Sequence, residues 1–178
     1  MAGEVVTARE ARVLFRATLA VSMLGIFLGI FFWFVNTDIA VRIAAALLVG
    51  IVGIISFFRH SVFYRSDQER MGWNQDHPEF QFEVGYANLA IGIWALVAVT
   101  LNWGAFACGL VLAIYGTYLL CTLLLHAKGS VRGSTAPAPA NRQRAVRSLF
   151  FTLFFVVFLF VFAVIGFARA GVVPFTTL

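Results

Sequence analysis

Apolar residues in this chain neither alternate nor keep to one face; they run on without interruption, five times over. The stretches 17–35, 41–58, 82–101, 105–125 and 149–168 are almost wholly apolar. Each approaches the ~20 residues that a helix needs to cross about 30 Å of hydrocarbon. In lipid, a single segment satisfies all of its backbone N–H and C=O groups only as a helix. The pattern therefore predicts an all-α fold, a polytopic integral membrane bundle of five transmembrane helices. The first run is longer than the roughly 7–15 apolar residues of a cleavable signal, and no small-x-small site precedes Asn36, so it reads as a retained helix.

The connections differ in kind. Asn36-Thr37-Asp38 and Asn102-Trp103-Gly104 are tight, with Asp38 the expected N-cap of the second helix and Trp103 expected at the membrane interface. Residues 127–145 read AKGSVRGSTAPAPANRQRA, small, basic and proline-bearing without apolar periodicity, and predict a flexible linker. Residues 59–81 carry Val62, Phe63, Tyr64, Met71, Trp73 and Phe80 among mixed charges, which predicts an ordered loop against the helix ends. Residues 1–16 form an N-terminal amphipathic segment, with Arg9, Arg12 and Arg16 on one helical face.

Composition agrees with a membrane chain: 61% of residues are hydrophobic and 12% charged, against about 25% charged in soluble domains. The net charge of +5 is accounted for by basic residues flanking the runs, so no nucleic-acid partner is expected. With the N-terminus in the cytoplasm, that side holds Arg9, Arg12, Arg16, Arg59, Arg65, Arg70, Lys128, Arg132, Arg142, Arg144 and Arg147, and the other side only Arg42 and Arg169. Eleven against two predicts an N-in, C-out protein of the cytoplasmic or inner membrane. Cys108 and Cys121 fall on one run about 20 Å apart along the axis, too far to pair with each other.

Small residues mark candidate packing seams. Gly25 and Gly29 form a GxxxG in the first run, and Gly85, Asn88, Gly92 and Ala95 share one face of the third. Such positions let helix backbones approach closely, and an asparagine hydrogen-bonds across the contact. The phenylalanine-rich fifth run is expected at the periphery, largely in lipid. No segment repeats, so no inverted-repeat architecture is indicated.

Polar chemistry concentrates between the second and third runs, in Arg59, His60, Tyr64, Asp67, Glu69, Asp76, His77, Glu79 and Glu83. Glu83 stands out because a carboxylate just inside a span is costly unless paired, turned inward or able to reach the headgroups. Arg59 or His60, at the end of the preceding antiparallel helix, is the expected partner. Arg59, His60, Tyr64, Glu83 and Asn88 are therefore the candidates for a ligand site or a structural ion pair. His60 and His126 both end helices and are the candidates for haem or metal, although HxxxH, ExxH and CxxCH are all missing. Arg42 is explained by snorkelling or by pairing with Asp38. Ser22 and Ser56 have no histidine at matching depth and no elbow motif, so no catalytic residue is named and no cofactor is expected.

The signature Phe58-Arg59-His60, followed by Phe80, Glu83, Gly85, Ala87 and Asn88 in an F-x-x-E-x-G-x-A-N pattern, resembles an uncharacterised prokaryotic multi-pass membrane-protein family. The resemblance covers about 40 residues closely. It implies a multi-helix membrane fold and no particular activity.

Two classes of function follow. The first is a structural or accessory subunit, working with a membrane-protein partner or with copies of itself. The second is a small transporter, channel or ligand carrier with a cytoplasmic-side pocket near Glu83. An enzyme is disfavoured, and a haem-bearing redox subunit ranks below both.

Overall fold

The structure, a computed structural model, describes residues 8–71, 78–132 and 139–172, with side chains described outside 128–148. Among these residues every regular element is helical: α1 (Arg9–Trp33), α2 (Thr37–Val62), α3 (Tyr64–Met71), α4 (Glu79–Thr100), α5 (Gly104–Arg132) and α6 (Pro139–Arg169). Five segments are long and apolar enough to cross a membrane: Arg9–Trp33, Thr37–Val62, Glu79–Thr100, Gly104–Ala127 and Leu149–Arg169. They coincide with the five apolar runs.

Helix α2 is the central post of the bundle, the span with the largest buried share. Ala44, Ala45, Leu48 and Val49 on it are fully enclosed. Helix α1 packs on one flank of α2 and α4 on the other, while α5 and α6 pair most extensively and close the bundle behind them. Two stretches of α2, Ala45–Ile51 and Phe58–Val62, are wound in π register. In the second, the Phe63 amide donates to the Phe58 carbonyl at 2.8 Å, five residues back. Such widened turns recur at functional sites.

Small residues decide where the helices meet. A methyl built on Gly53 would stand 2.6 Å from the Asn88 carbonyl oxygen and 3.1 Å from the Gly92 Cα, so α2 and α4 cross backbone to backbone. Gly25 receives the Leu48 side chain, Gly29 the Phe162 ring, and Gly85 the Ser61 hydroxyl. A second seam, Gly109 against Gly166 and Ala163, holds α5 to α6. Lipid gives helices no hydrophobic reason to associate, so these contacts work through dispersion, which rises steeply as backbones approach.

Several expectations are corrected. Helix α6 is not merely peripheral: Leu159 and Phe162 are fully buried, although Phe150, Phe151 and Val157 face outward. The stretch 127–145 is mostly taken up by helix, since α5 continues to Arg132 and α6 opens at Pro139. Proline suits a first helical position because the amide it lacks would have no partner there. Residues 133–138 lie outside the described residues. The 59–81 connection is helical up to Met71, with α2 running on to Val62; Trp73, Asp76 and His77 lie outside the described residues.

At the opposite end of the bundle, Asn36 rather than Asp38 caps α2, its Oδ1 accepting from the Asp38 and Ile39 amides at 3.1 and 3.2 Å. Asp38 instead takes a two-pronged contact from Arg169, at 3.2 Å (Nε) and 2.6 Å (Nη2). Arg42 neither pairs with Asp38 nor simply snorkels: its Nη2 donates to the Val99 carbonyl at 3.1 Å. That carbonyl belongs to the last turn of α4 and also accepts from the Asn102 amide at 3.3 Å, so Arg42 adds a second donor to it.

Candidate functional site

The polar centre of the molecule is Asp67. It sits on α3, just past the break at Phe63, and its side chain is fully buried. Arg70, one turn further on, donates to Oδ1 from Nε and Nη2, both at 2.9 Å. Arg59 approaches the same oxygen at 3.6 Å. The other oxygen, Oδ2, lies 3.0 Å from His60 Nδ1 and 3.4 Å from Gln81 Nε2, the latter on the first turn of α4. Helix α1 forms the roof: the Phe15 ring lies 5.8 Å from the Arg59 guanidinium and 4.9 Å from that of Arg70. The Ser66 hydroxyl accepts from the Ala11 amide and donates to Glu10 Oε2, both at 3.1 Å. Three helices thus meet on one carboxylate, and a fourth, α1, packs against the residues that hold it.

The geometry defines the protonation pattern. Arg59 Nη2 and His60 Nε2 are 2.8 Å apart. A guanidinium only donates, so Nε2 is the acceptor and the ring proton sits on Nδ1, aimed at Asp67. His60 is therefore neutral here. Burial alone pushes the Asp67 carboxyl up, but the His60 hydrogen bond and the Arg59 and Arg70 charges outweigh it and hold the group below the usual carboxylate value. An Asp–His pair oriented in this way is the positioning half of a nucleophilic triad. Here Arg59 occupies the ring nitrogen that a general base would use.

Deeper in the bundle a second polar layer joins α4 to α5. Asn88 is buried; its Nδ2 donates to the Val84 carbonyl at 2.7 Å and to the Tyr118 hydroxyl at 3.3 Å, and its Oδ1 accepts from the Tyr115 hydroxyl at 2.9 Å. Ser56 is a further hydrogen-bond partner of Tyr115. Among the described residues four side-chain atoms are buried without a hydrogen-bond partner: Arg59 Nε, Ser61 Oγ, Gln68 Nε2 and Gln81 Oε1.

Of the candidates named from sequence, Arg59, His60 and Asn88 lie in this region. Tyr64 flanks it, its hydroxyl accepting from Arg65 Nε at 3.0 Å and its ring meeting Phe82 edge-on at 5.0 Å. Glu83 does not belong to it: it is exposed, and Arg59 and His60 are committed to Asp67. The reason lies in helical phase. The buried face of α4 is Gln81, Gly85, Asn88, Gly92 and Ala95, and a residue two places after Gln81 points to the opposite side. His126 is exposed, and among the described residues no three of His, Cys, Asp and Glu converge as a metal site. Sequence reasoning had Asp67 within its polar stretch without singling it out, and missed Arg70, Gln81, Ser66 and Glu10. Extending the small-residue stripe back by one turn reaches Gln81, the one available signal.

A helical membrane bundle with a closed ion cluster at one end is the class that fold and site define. Over residues 12–172 the chain matches the model of a family of unknown function, DUF6790, and it belongs to that family. No curated protein and no solved structure is detectably similar to it.

Proposed function

We propose that this chain is a non-catalytic accessory or structural subunit of the cell membrane, oriented with its N-terminus in the cytoplasm and assembled with a membrane-protein partner or with further copies of itself. The observation that carries the reading is the closure of the Asp67 cluster. Both carboxylate oxygens and both His60 nitrogens are engaged within the chain. A cluster consumed in this way ties α1, α2, α3 and α4 together and leaves neither its carboxylate nor its imidazole free for chemistry. The eleven-to-two distribution of basic residues supports the orientation. The test is purification from the native membrane in mild detergent. A stoichiometric partner or a defined multimer is expected; a lone monomer under every mild condition would refute the reading.

A second reading is a carrier of a small polar ligand, with its site moved from Glu83 to the space bounded by Arg59, Ser61 and Gln81. The partnerless buried atoms on these three residues favour it, because such groups cost about 1–3 kcal/mol each unless water or a ligand meets them. Substrate-dependent stabilisation of the purified protein, lost in Gln81→Leu, distinguishes it from the first reading.

A further inference from the structure

Two exposed charges stand on helices that α2 separates, each followed along its helix by a largely apolar outer face. Arg16 is on α1 and Glu83 on α4, and both are exposed. Among the described residues neither has a charged partner. Their positions can be compared because both helices start at the Asp67 cluster and run away from it. Phe15 contacts Arg70 and Arg59, which hold Asp67, and Gln81 contacts Asp67 directly. Phe15 and Gln81 therefore both lie beside the cluster. Arg16 and Glu83 follow them by one and two residues.

The two outer faces also match in size further along the helices. Counted from Phe15 and Gln81, Ala20 and Tyr86 are both five residues on, and Met23 and Ala90 eight and nine; all four are exposed. A small residue on one helix thus stands at the same count as a large one on the other at Ala20 and Tyr86, and within one residue of it at Met23 and Ala90. Within one molecule the two faces cannot meet, because α2 stands between α1 and α4.

We propose that copies of this chain associate head to tail in the membrane, the outer face of α1 on one copy packing against the outer face of α4 on the next, with Arg16 paired to Glu83 across the contact. This rests on the accessory or structural reading above and names its partner as a second copy. A two-fold contact of α1 on α1 or α4 on α4 would set like charges against each other. The head-to-tail arrangement satisfies both charges, and it generates a ring when the rotation closes. Glu83 at the rim of a span is then balanced by a cation of the neighbouring copy, where desolvation makes an unpaired carboxylate expensive.

The experiment uses full-length chain with Cys121 replaced by serine, purified in mild detergent and sized by light scattering. A multimer larger than two copies is expected. Arg16→Glu and Glu83→Arg should each shift it to monomer by repulsion, and the combined swap should restore it; Arg16→Gln and Glu83→Gln should weaken it less. In parallel, one tagged population carrying Arg16→Cys is co-expressed with another carrying Glu83→Cys, and a disulfide between the two tags is expected on oxidation. A monomeric parent protein, a multimer indifferent to both reversals, or failure of both the swap and the disulfide would overturn the proposal. A stoichiometric complex with a different protein would also overturn it while leaving the accessory reading intact.

Discussion

His60 Nδ1 and Asp67 Oδ2 lie 3.0 Å apart across the break between α2 and α3, one on a widened turn at the end of a span and the other fully buried just beyond it. The contact joins a membrane helix to the short helix that follows, and Arg59, Arg70 and Gln81 complete it. Much of what can be tested about this protein starts there.

Asp67→Asn removes the negative charge that Arg59 and Arg70 share. Breaking a buried ion cluster at one partner costs about 3–5 kcal/mol, because the remaining charges are left uncompensated. The variant is expected to melt well below the parent in detergent. An unchanged melting temperature would show that Asp67 is dispensable to the bundle.

The same carboxylate sets a response to acid. Its folded value lies below the unfolded one, so its contribution to stability is complete above the ordinary aspartate value of about 3.9 and is lost as pH falls through the lowered folded value. A melting-temperature profile should therefore drop at strongly acidic pH, and Asp67→Asn should flatten that limb.

The hydrogen bond from Arg59 to His60 requires a neutral imidazole protonated on Nδ1. Nitrogen chemical shifts of ¹⁵N-histidine-labelled protein near neutral pH are expected to show one ring in that tautomer. Substituting Arg59 by Met should abolish the tautomer preference. Observation of a charged ring at His60 in the parent would contradict the geometry.

Gly92→Leu places a branched side chain where the Cβ alone would already be 3.0 Å from the Gly50 carbonyl oxygen. Overpacking of this kind costs about 1–3 kcal/mol, and folded yield should fall. Phe158, which the sequence suggested as a lipid-facing control, is half-buried against Phe154 and Phe162. Phe150, 66% exposed, is the better control, and Phe150→Leu should be silent.

Orientation is checked by labelling single cysteines placed at residues 2 and 176 in intact cells. With five spans and the basic residues inside, the first should be protected from an impermeant reagent and the second reactive. Protection of both, or of the second alone, would reverse or break the arrangement.

The sequence by itself determined that the chain crosses a membrane as five helices, because an apolar run of such length has one way to satisfy its backbone in lipid. It also determined the seam Gly85, Asn88, Gly92, since small side chains at helical spacing mark close approach whatever the neighbour. Which neighbour approaches was a tertiary matter: Gly53 and Gly50 of α2 meet Gly92, and no local rule couples those positions. The identity of the charge partner was likewise undecided along the chain. Arg59 and His60 had carboxylates available at Asp67, Glu69, Glu79 and Glu83, all within reach in sequence. The widened turn at Phe58–Val62 and the break at Phe63 swing α3 back under the bundle and bring Asp67 to them. Helical phase, set by the buried stripe of α4, turns Glu83 outward. Long-range packing chose between charges that local sequence left equivalent, because an ion pair depends on distance and enclosure in space and not on separation along the chain.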